Sequence, residues 1–376
     1  MCGKWFKQCR DANVSIGSPI VKENAENIAK SLDHEQSKSS YGCLENLKKR
    51  SGIDYTTGSH ILECRTFIMT NKMDKMKWSS IFAELVLLLI KSVYYIGESI
   101  YYIFVPLPEK SLADDIVLIT GTGHGIGKCL AMQFADVSAK VVCVDINEQS
   151  NAETAKEINA KWKGKAFAYT CDVSTLEKVR ELGEKVKSEV GTVTILVNNA
   201  GIMPCKPLEA HDEATIKKIF DINVFAHFWM LDTFLPGMKA LNKGHLVFLS
   251  SMAGIIGLKN LVPYCASKFA VRGLSEAIMD ECRADGFTNL HFTSIFPYMV
   301  DTGLCKKPII RFPSLLPLVT PESTAREIIA AVRKNLFEHS IPSPLLVINN
   351  IFRCYPYKMA MEFKDFMGGG VEAHDD

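Results

Sequence analysis

The sequence predicts an α/β fold, a doubly wound parallel sheet, from three observations. Short apolar runs of strand length alternate with amphipathic stretches, and a glycine-rich turn joins the first run to the first amphipathic stretch. The third is the burial of the runs: they are apolar throughout rather than every second residue, as in strands covered on both faces. In chain order they are 115–120 (DIVLIT), 140–145 (KVVCVD), 166–170 (AFAYT), 193–198 (VTILVN), 244–250 (GHLVFLS) and 290–296 (LHFTSIF). Helix-like stretches lie between them near 126–136, 148–161, 175–189, 212–234 and 264–285. Sheets of this kind bind ligands at the carboxyl ends of their strands, where the strand order reverses.

Composition narrows the partners. Of 376 residues 47% are hydrophobic and 23% charged, which suits a globular chain. Lys and Arg total 43 against 42 acids, a net charge of +1, so no nucleic-acid partner is expected. The mean hydropathy of +0.07 asks for a large core, a membrane segment, or both. The 12 cysteines show neither paired spacing nor a following His at zinc-ligand spacing. Reduced, cytosol-facing thiols and no metal site are therefore expected.

The front of the chain divides in two. Residues 1–77 are polar, charge-mixed and aperiodic, an extension expected to be disordered. Residues 78–108 are expected to be a membrane anchor, with an apolar stretch from Ile81 to Val105 of the length that crosses a ~30 Å hydrocarbon layer. Glu84, Lys91 and Glu98 interrupt it seven residues apart, forming one narrow helical stripe. Each charge costs roughly 2.5–3.5 kcal/mol at mid-membrane, against roughly 0.3–0.6 returned per strongly apolar residue. The sum leaves spanning marginal. A helix lying in one leaflet with its charges toward water fits better, with Tyr94, Tyr95, Tyr101 and Tyr102 at the interface. Pro106 and Pro108 break the helix before the main domain, expected at 109–340; 341–376 reads as an apolar segment and tail.

Two constellations carry chemistry. The first run leads into TGTGHGIG, where Gly121, Gly125 and Gly127 permit a tight turn and close backbone approach to a pyrophosphate. Thr122, His124 and Ile126 complete that turn as candidate dinucleotide contacts. Asp145 ends the second run with Ile146 after it, and a carboxylate there accepts ribose hydroxyls and repels a 2′-phosphate. NAD is expected rather than NADP. The second constellation is Tyr264 four residues before Lys268, on one helix face. The ammonium is expected to lower the phenol's pKa and fit Tyr264 for general acid/base work.

Together these residues resemble the short-chain dehydrogenase/reductase family over about 110–305. The resemblance implies a Rossmann-type catalytic domain without a metal. It places Asp172 and Val173 beside adenine, and the turn of Asn199, Ala200 and Gly201 beside the cofactor. Asn223 is implied to hold a water that relays protons to Lys268. Ser251, rather than its neighbour Ser250, is implied to orient the substrate oxygen, with Tyr264 as acid/base. Lys268 is implied to bind the nicotinamide ribose, while Pro297, Val300 and Thr302 face the nicotinamide. Tyr298 departs from the glycine usual there and is expected to reshape the substrate mouth.

The anchor resembles that of a branch bound to endoplasmic reticulum or lipid droplets and acting on retinol and steroids. That implies a lipophilic small-molecule substrate, a membrane or lipid-droplet surface as partner, a cytosolic catalytic domain and a possible homodimer. The proline-punctuated stretch 305–319 is placed as an apolar lid. Two alternatives stand beside this reading: a 3-oxoacyl or sphingoid-base reductase of the same fold, and a non-catalytic lipid-droplet surface protein.

Overall fold

The apolar runs become strands, and the alternation builds the sheet. The computed structural model describes residues 78–137 and 140–373; the polar extension at 1–77 lies outside the described residues. The chain divides after Val105 into two units. The first contains α1 (Trp78–Phe104), an unbroken 27-residue helix. Its segment Ser80–Phe104 is long and apolar enough to cross a membrane. Ser92 and Ser99 donate their hydroxyls to the carbonyls of Leu88 and Tyr95, each at 2.8 Å, so neither depends on water for a partner.

The second unit begins with β1 (Ile116–Thr120), α2 (Gly125–Asp136), β2 (Lys140–Asp145), α3 (Glu148–Lys161), β3 (Ala166–Thr170), α4 (Leu176–Glu189) and β4 (Ile195–Asn198). It continues with α5 (Glu213–Phe220), a π-helical turn at Asp221–Phe225, α6 (Ala226–Leu241), β5 (Gly244–Leu249), α7 (Val262–Ala284) and β6 (Leu290–Pro297). The last part holds β7 (Pro308–Ile309), α8 (Pro321–Arg333), β8 (Glu338–Ile341), α9 (Pro344–Arg353), α10 (Tyr357–Met367) and β9 (Gly370–Val371). Seven strands form one parallel sheet in the order β3-β2-β1-β4-β5-β6-β8. The order reverses between β1 and β4, so the carboxyl ends of those strands open the cleft that the site uses.

Alternation of side chains explains the two-sided core. Val117 and Ile119 join the layer with α2, α3 and α8, while Leu118 joins the layer with α4, α6 and α7. Phe134 and Phe248 fill opposite layers and are fully buried. Such rings contribute roughly 1.5–3 kcal/mol each.

Three features differ from the sequence expectation. The single helix expected at 212–234 is two helices joined by the π-helical turn, which places one extra residue in the bend. A seventh strand, β8, runs through the expected domain end at 340, because Glu338–Ile341 pairs along β6. Beyond it α9 and α10 belong to the same unit, and β7 pairs antiparallel with β9 to bring the C-terminal segment back. The expected lid at 305–319 contains no helix, in keeping with Pro308, Pro313 and Pro317.

Candidate active site

The glycine turn shows why each glycine is there. Gly121 and Gly125 have φ of +74° and +58°, left-handed values that side chains disfavour. A Cβ on Gly127 would sit 1.9 Å from the Gly121 carbonyl oxygen, so α2 approaches the turn only because that position is bare. The Asn199 side chain braces the same turn, its amide donating to the Thr120 carbonyl at 2.7 Å. Thr120 Oγ1 accepts from the backbone N–H groups of Asn199 and Ala200, both at 3.0 Å, tying β1 to β4. At the end of β2 the Asp145 carboxylate accepts from the N–H groups of Gly123 (2.8 Å) and Asn147 (2.9 Å). Each of its oxygens has further lone-pair capacity for a hydroxyl. Asp172 turns back on Ser174, accepting its hydroxyl at 2.6 Å.

The second cluster gathers around α7. Tyr264 and Lys268 are both buried, and the Lys268 Nζ lies 5.7 Å from the centre of the Tyr264 ring. That amine donates to the Leu249 carbonyl at 2.7 Å, at the end of β5. Burial holds the Lys268 ammonium down to about 8. The expected lowering of the Tyr264 pKa is overturned: burial pushes the phenol up to about 12, with a hydrogen bond from Ser251 pulling the other way. Desolvation outweighs a charge that faces the ring rather than the hydroxyl. Ser251 accepts from Ala253 N at 3.1 Å, whereas Ser250 donates to the Lys268 carbonyl at 2.9 Å and is committed to α7.

Asn223 is fully buried inside the π-helical turn. Its amide donates to the Ile202 carbonyl (2.9 Å) and the Ser267 hydroxyl (3.1 Å), and its oxygen accepts from Ile202 N at 2.9 Å. Both amide hydrogens are therefore used, and the side chain fastens the strand after β4 to α7. His227, one turn on, stacks against Phe248 at 5.9 Å and is held neutral, its pKa pushed down to about 3 by burial and by Lys268.

These two clusters open into one cavity of about 1450 Å³. Single-ligand pockets are typically ~300–1,000 Å³, so there is room for two ligands end to end. Gly121, His124, Gly125, Ile126, Gly127, Asp145 and Ile146 line it, as do Asp172, Val173, Asn199, Ala200 and Gly201. Ser251, Tyr264, Lys268, Pro297, Val300 and Thr302 line it too. Two expected residues do not. Thr122 is fully buried and donates to Asn151 Oδ1 at 2.6 Å, because the turn points its side chain at α3. Asn223 stands behind the wall, on Ile202. The half-buried Tyr298 lines the substrate end, its hydroxyl 3.1 Å from where a Cβ on Gly369 would be.

The far wall was not anticipated as part of the site. Phe352 and Arg353 of α9, and Phe363 and Lys364 of α10, line the cavity. Arg353 and Lys364 donate to the carbonyls of Ile255 (2.6 Å) and Gly257 (2.7 Å), clasping the loop between Ser251 and Tyr264. The available signal was the apolar period of PLLVINNIF after Pro344. Among the described residues, no cluster of three His, Cys, Asp or Glu could hold a metal ion.

Comparison with known proteins then places the fold and site. Residues 115–308 match the family described as short chain dehydrogenase. The chain belongs to the short-chain dehydrogenase family. It is an oxidoreductase. The chain is 41% identical to short-chain dehydrogenase/reductase family 16C member 6 of Bos taurus, over 64% of this chain and 77% of that one. It is 38% identical to epidermal retinol dehydrogenase 2 of Mus musculus, over 76% and 92%. It is 39% identical to estradiol 17-beta-dehydrogenase 11 of Macaca fascicularis, over 72% and 90%. A crystal structure of a short chain dehydrogenase/reductase from Burkholderia phymatum in complex with NAD shares the fold, at TM-score 0.59 and 21% identity over 71% of this chain and 99% of that chain. The match to the family model ends at 308, ahead of α9 and α10.

Proposed function

We propose that the chain is a membrane-associated, NAD-linked dehydrogenase that interconverts a lipophilic alcohol of the retinol or steroid kind with its carbonyl. The observation that carries this reading is the meeting of Ser251, Tyr264 and Lys268 where the glycine-turn cleft joins an apolar cavity. The residues present fit a dinucleotide: positive-φ glycines, a bare Gly127 and a carboxylate at the end of β2. Asp145 favours an unmodified ribose, hence NAD over NADP. Bound there, NAD supplies the hydride acceptor or donor.

The chain's own groups do the rest. Ser251 Oγ holds the substrate oxygen beside the Tyr264 hydroxyl. With its pKa near 12 the phenol keeps its proton at neutral pH, so Tyr264 serves directly as a proton donor to a carbonyl. To accept a proton from an alcohol the phenol must first release its own to water at the cavity mouth, and the Lys268 ammonium, 5.7 Å from the ring centre, stabilises the phenolate left behind. Asn223 positions Lys268 through Ser267 and holds Ile202 in the wall. The apolar walls exclude water and suit a substrate with little polar surface.

Residues 78–108 act as the anchor, at endoplasmic reticulum or lipid droplets, with the catalytic unit in the cytosol. The named relatives, a retinol and an estradiol dehydrogenase, support the substrate class. Tyr264→Phe tests the reading. Membranes carrying the wild-type chain should oxidise retinol or a steroid alcohol with NAD, and those carrying the variant should not. Equal activity in both would overturn it.

A further inference from the structure

We propose that the mouth of the catalytic cavity is itself a docking face for an anionic lipid surface, formed by α9, α10 and the 304–318 loop. This rests on the lipophilic-substrate reading and adds the route by which the substrate enters.

Helix α9 is apolar on two sides. Leu345 and Phe352 line the cavity and Leu346 is buried beside it, while Val347 and Ile351 on the other side are 60% and 52% exposed. Asn349, Asn350 and Arg353 share the remaining side, so the apolar face of α9 is wider than the cavity needs, and an exposed apolar face of this kind suits lipid rather than water. The exposure continues around the opening. Leu304, Leu315, Ile348, Tyr355, Tyr357 and Phe366 line the cavity and are exposed as well, with Leu315 at 69% and Tyr357 at 78%. The apolar lining therefore runs out onto the surface, with Asn349, Arg353 and Lys364 as its polar members, and exposed apolar patches mark interaction sites. A retinol-like or steroid-like molecule would pass from lipid to Tyr264 without crossing water.

Charge selects the occupant. Across 304–318 and 344–367 there are six cations, Lys306, Lys307, Arg311, Arg353, Lys358 and Lys364, against the acids Glu362 and Asp365. The 304–318 loop contains no acid at all. A protein partner or a second copy needs no such excess, given a net charge of +1 for the whole chain. A surface of anionic headgroups does, with apolar side chains entering between them.

The test uses the full chain with Val347→Trp, since Val347 is exposed and outside the cavity lining. Vesicles are made from bromine-labelled phosphatidylcholine with or without phosphatidylserine. The added tryptophan, read as the difference from the parent, should shift to shorter wavelength and be quenched by the bromolipid, more strongly with phosphatidylserine. Reversing Lys306, Lys307 and Lys358 to Glu in that background should remove the phosphatidylserine effect, each cation being worth about fivefold in lipid partition. No shift would overturn the proposal. So would a shift without bromolipid quenching, which means a second copy covers the face if the mass doubles, and the chain itself if it does not. Quenching is read without turnover: if it occurs and no alcohol is oxidised, the substrate reading fails while the docking face stands.

Discussion

Lys268→Met separates stability from activity at a single atom. Burial lowers the Lys268 pKa from 10.5 to about 8, so the folded chain holds an ammonium where it is poorly solvated. At ~1.4 kcal/mol per pH unit, that drop corresponds to about 3 kcal/mol of destabilisation at neutral pH. The ammonium also donates to the Leu249 carbonyl at 2.7 Å, and losing that charge-assisted bond costs about 1.5–3 kcal/mol. The Met variant should therefore be as stable as wild type or more so by up to about 1.5 kcal/mol, raising the melting temperature by no more than roughly 6 °C for a domain of this size. The sign follows proton binding. Below pH 8 the lysine is charged in both folded and unfolded chains and the full penalty applies. Between pH 8 and 10.5 the unfolded chain binds the extra proton, so wild-type stability from this group rises with pH and the variant's advantage shrinks. Urea unfolding in detergent at about pH 7 and about pH 10 measures both ends of that window. Turnover should fall by roughly 100-fold or more, since the positive charge under Tyr264 is gone. A variant less stable than wild type at neutral pH, or an advantage that grows with pH, would refute the reasoning.

Four further outcomes are expected. Gly127→Ala puts a Cβ 1.9 Å from the Gly121 carbonyl and forces α2 back by about an ångström; NADH affinity by fluorescence titration should drop roughly 100-fold. Gly273→Ala, with nothing within 4 Å of its Cβ in the middle of α7, should instead add about 0.5–1 kcal/mol. Asn223→Leu strands the Ile202 backbone groups and removes the donor to the Ser267 hydroxyl, which keeps its bond to the Tyr264 carbonyl; it should cost about 2–4 kcal/mol in denaturant unfolding, and an unchanged midpoint would contradict the bracing role. Asp145→Ala should narrow the NAD preference at least tenfold in kcat/KM against NADP, through loss of like-charge repulsion; a constant ratio would sink the assignment of that carboxylate.

Five of the sheet strands were legible because their residues are buried on both faces, which leaves continuous apolar runs; β3, at the sheet edge with Ala168 and Thr170 exposed, was legible from its apolar composition alone. β8 was not: Glu338, His339 and Ser340 are polar, and the strand forms only because β6 offers a free edge. The glycine turn was legible through a stereochemical requirement that few other residues meet. Thr122 was misplaced because a run of letters does not say which way a turn aims its side chains. The Tyr264–Lys268 pair was legible as a spacing, but its electrostatics were not. Spacing reports that a charge is near, and burial, which outweighs it here, is a property of the whole fold. Asn223 carried no local sign of the π-helical turn that its bonds to Ile202 accompany. The far wall from α9 and α10 was hidden for another reason: its residues reach the site only through the return of the chain across β7 and β9.

The most direct test of the account follows one atom. Membranes carrying the full chain are given NAD and a retinol or steroid alcohol deuterated at the carbinol carbon. The account predicts deuterium in the NADH, an equivalent amount of carbonyl product, and neither with Tyr264→Phe. Carbonyl product without label in the NADH, or the same label transfer by Tyr264→Phe, would contradict it.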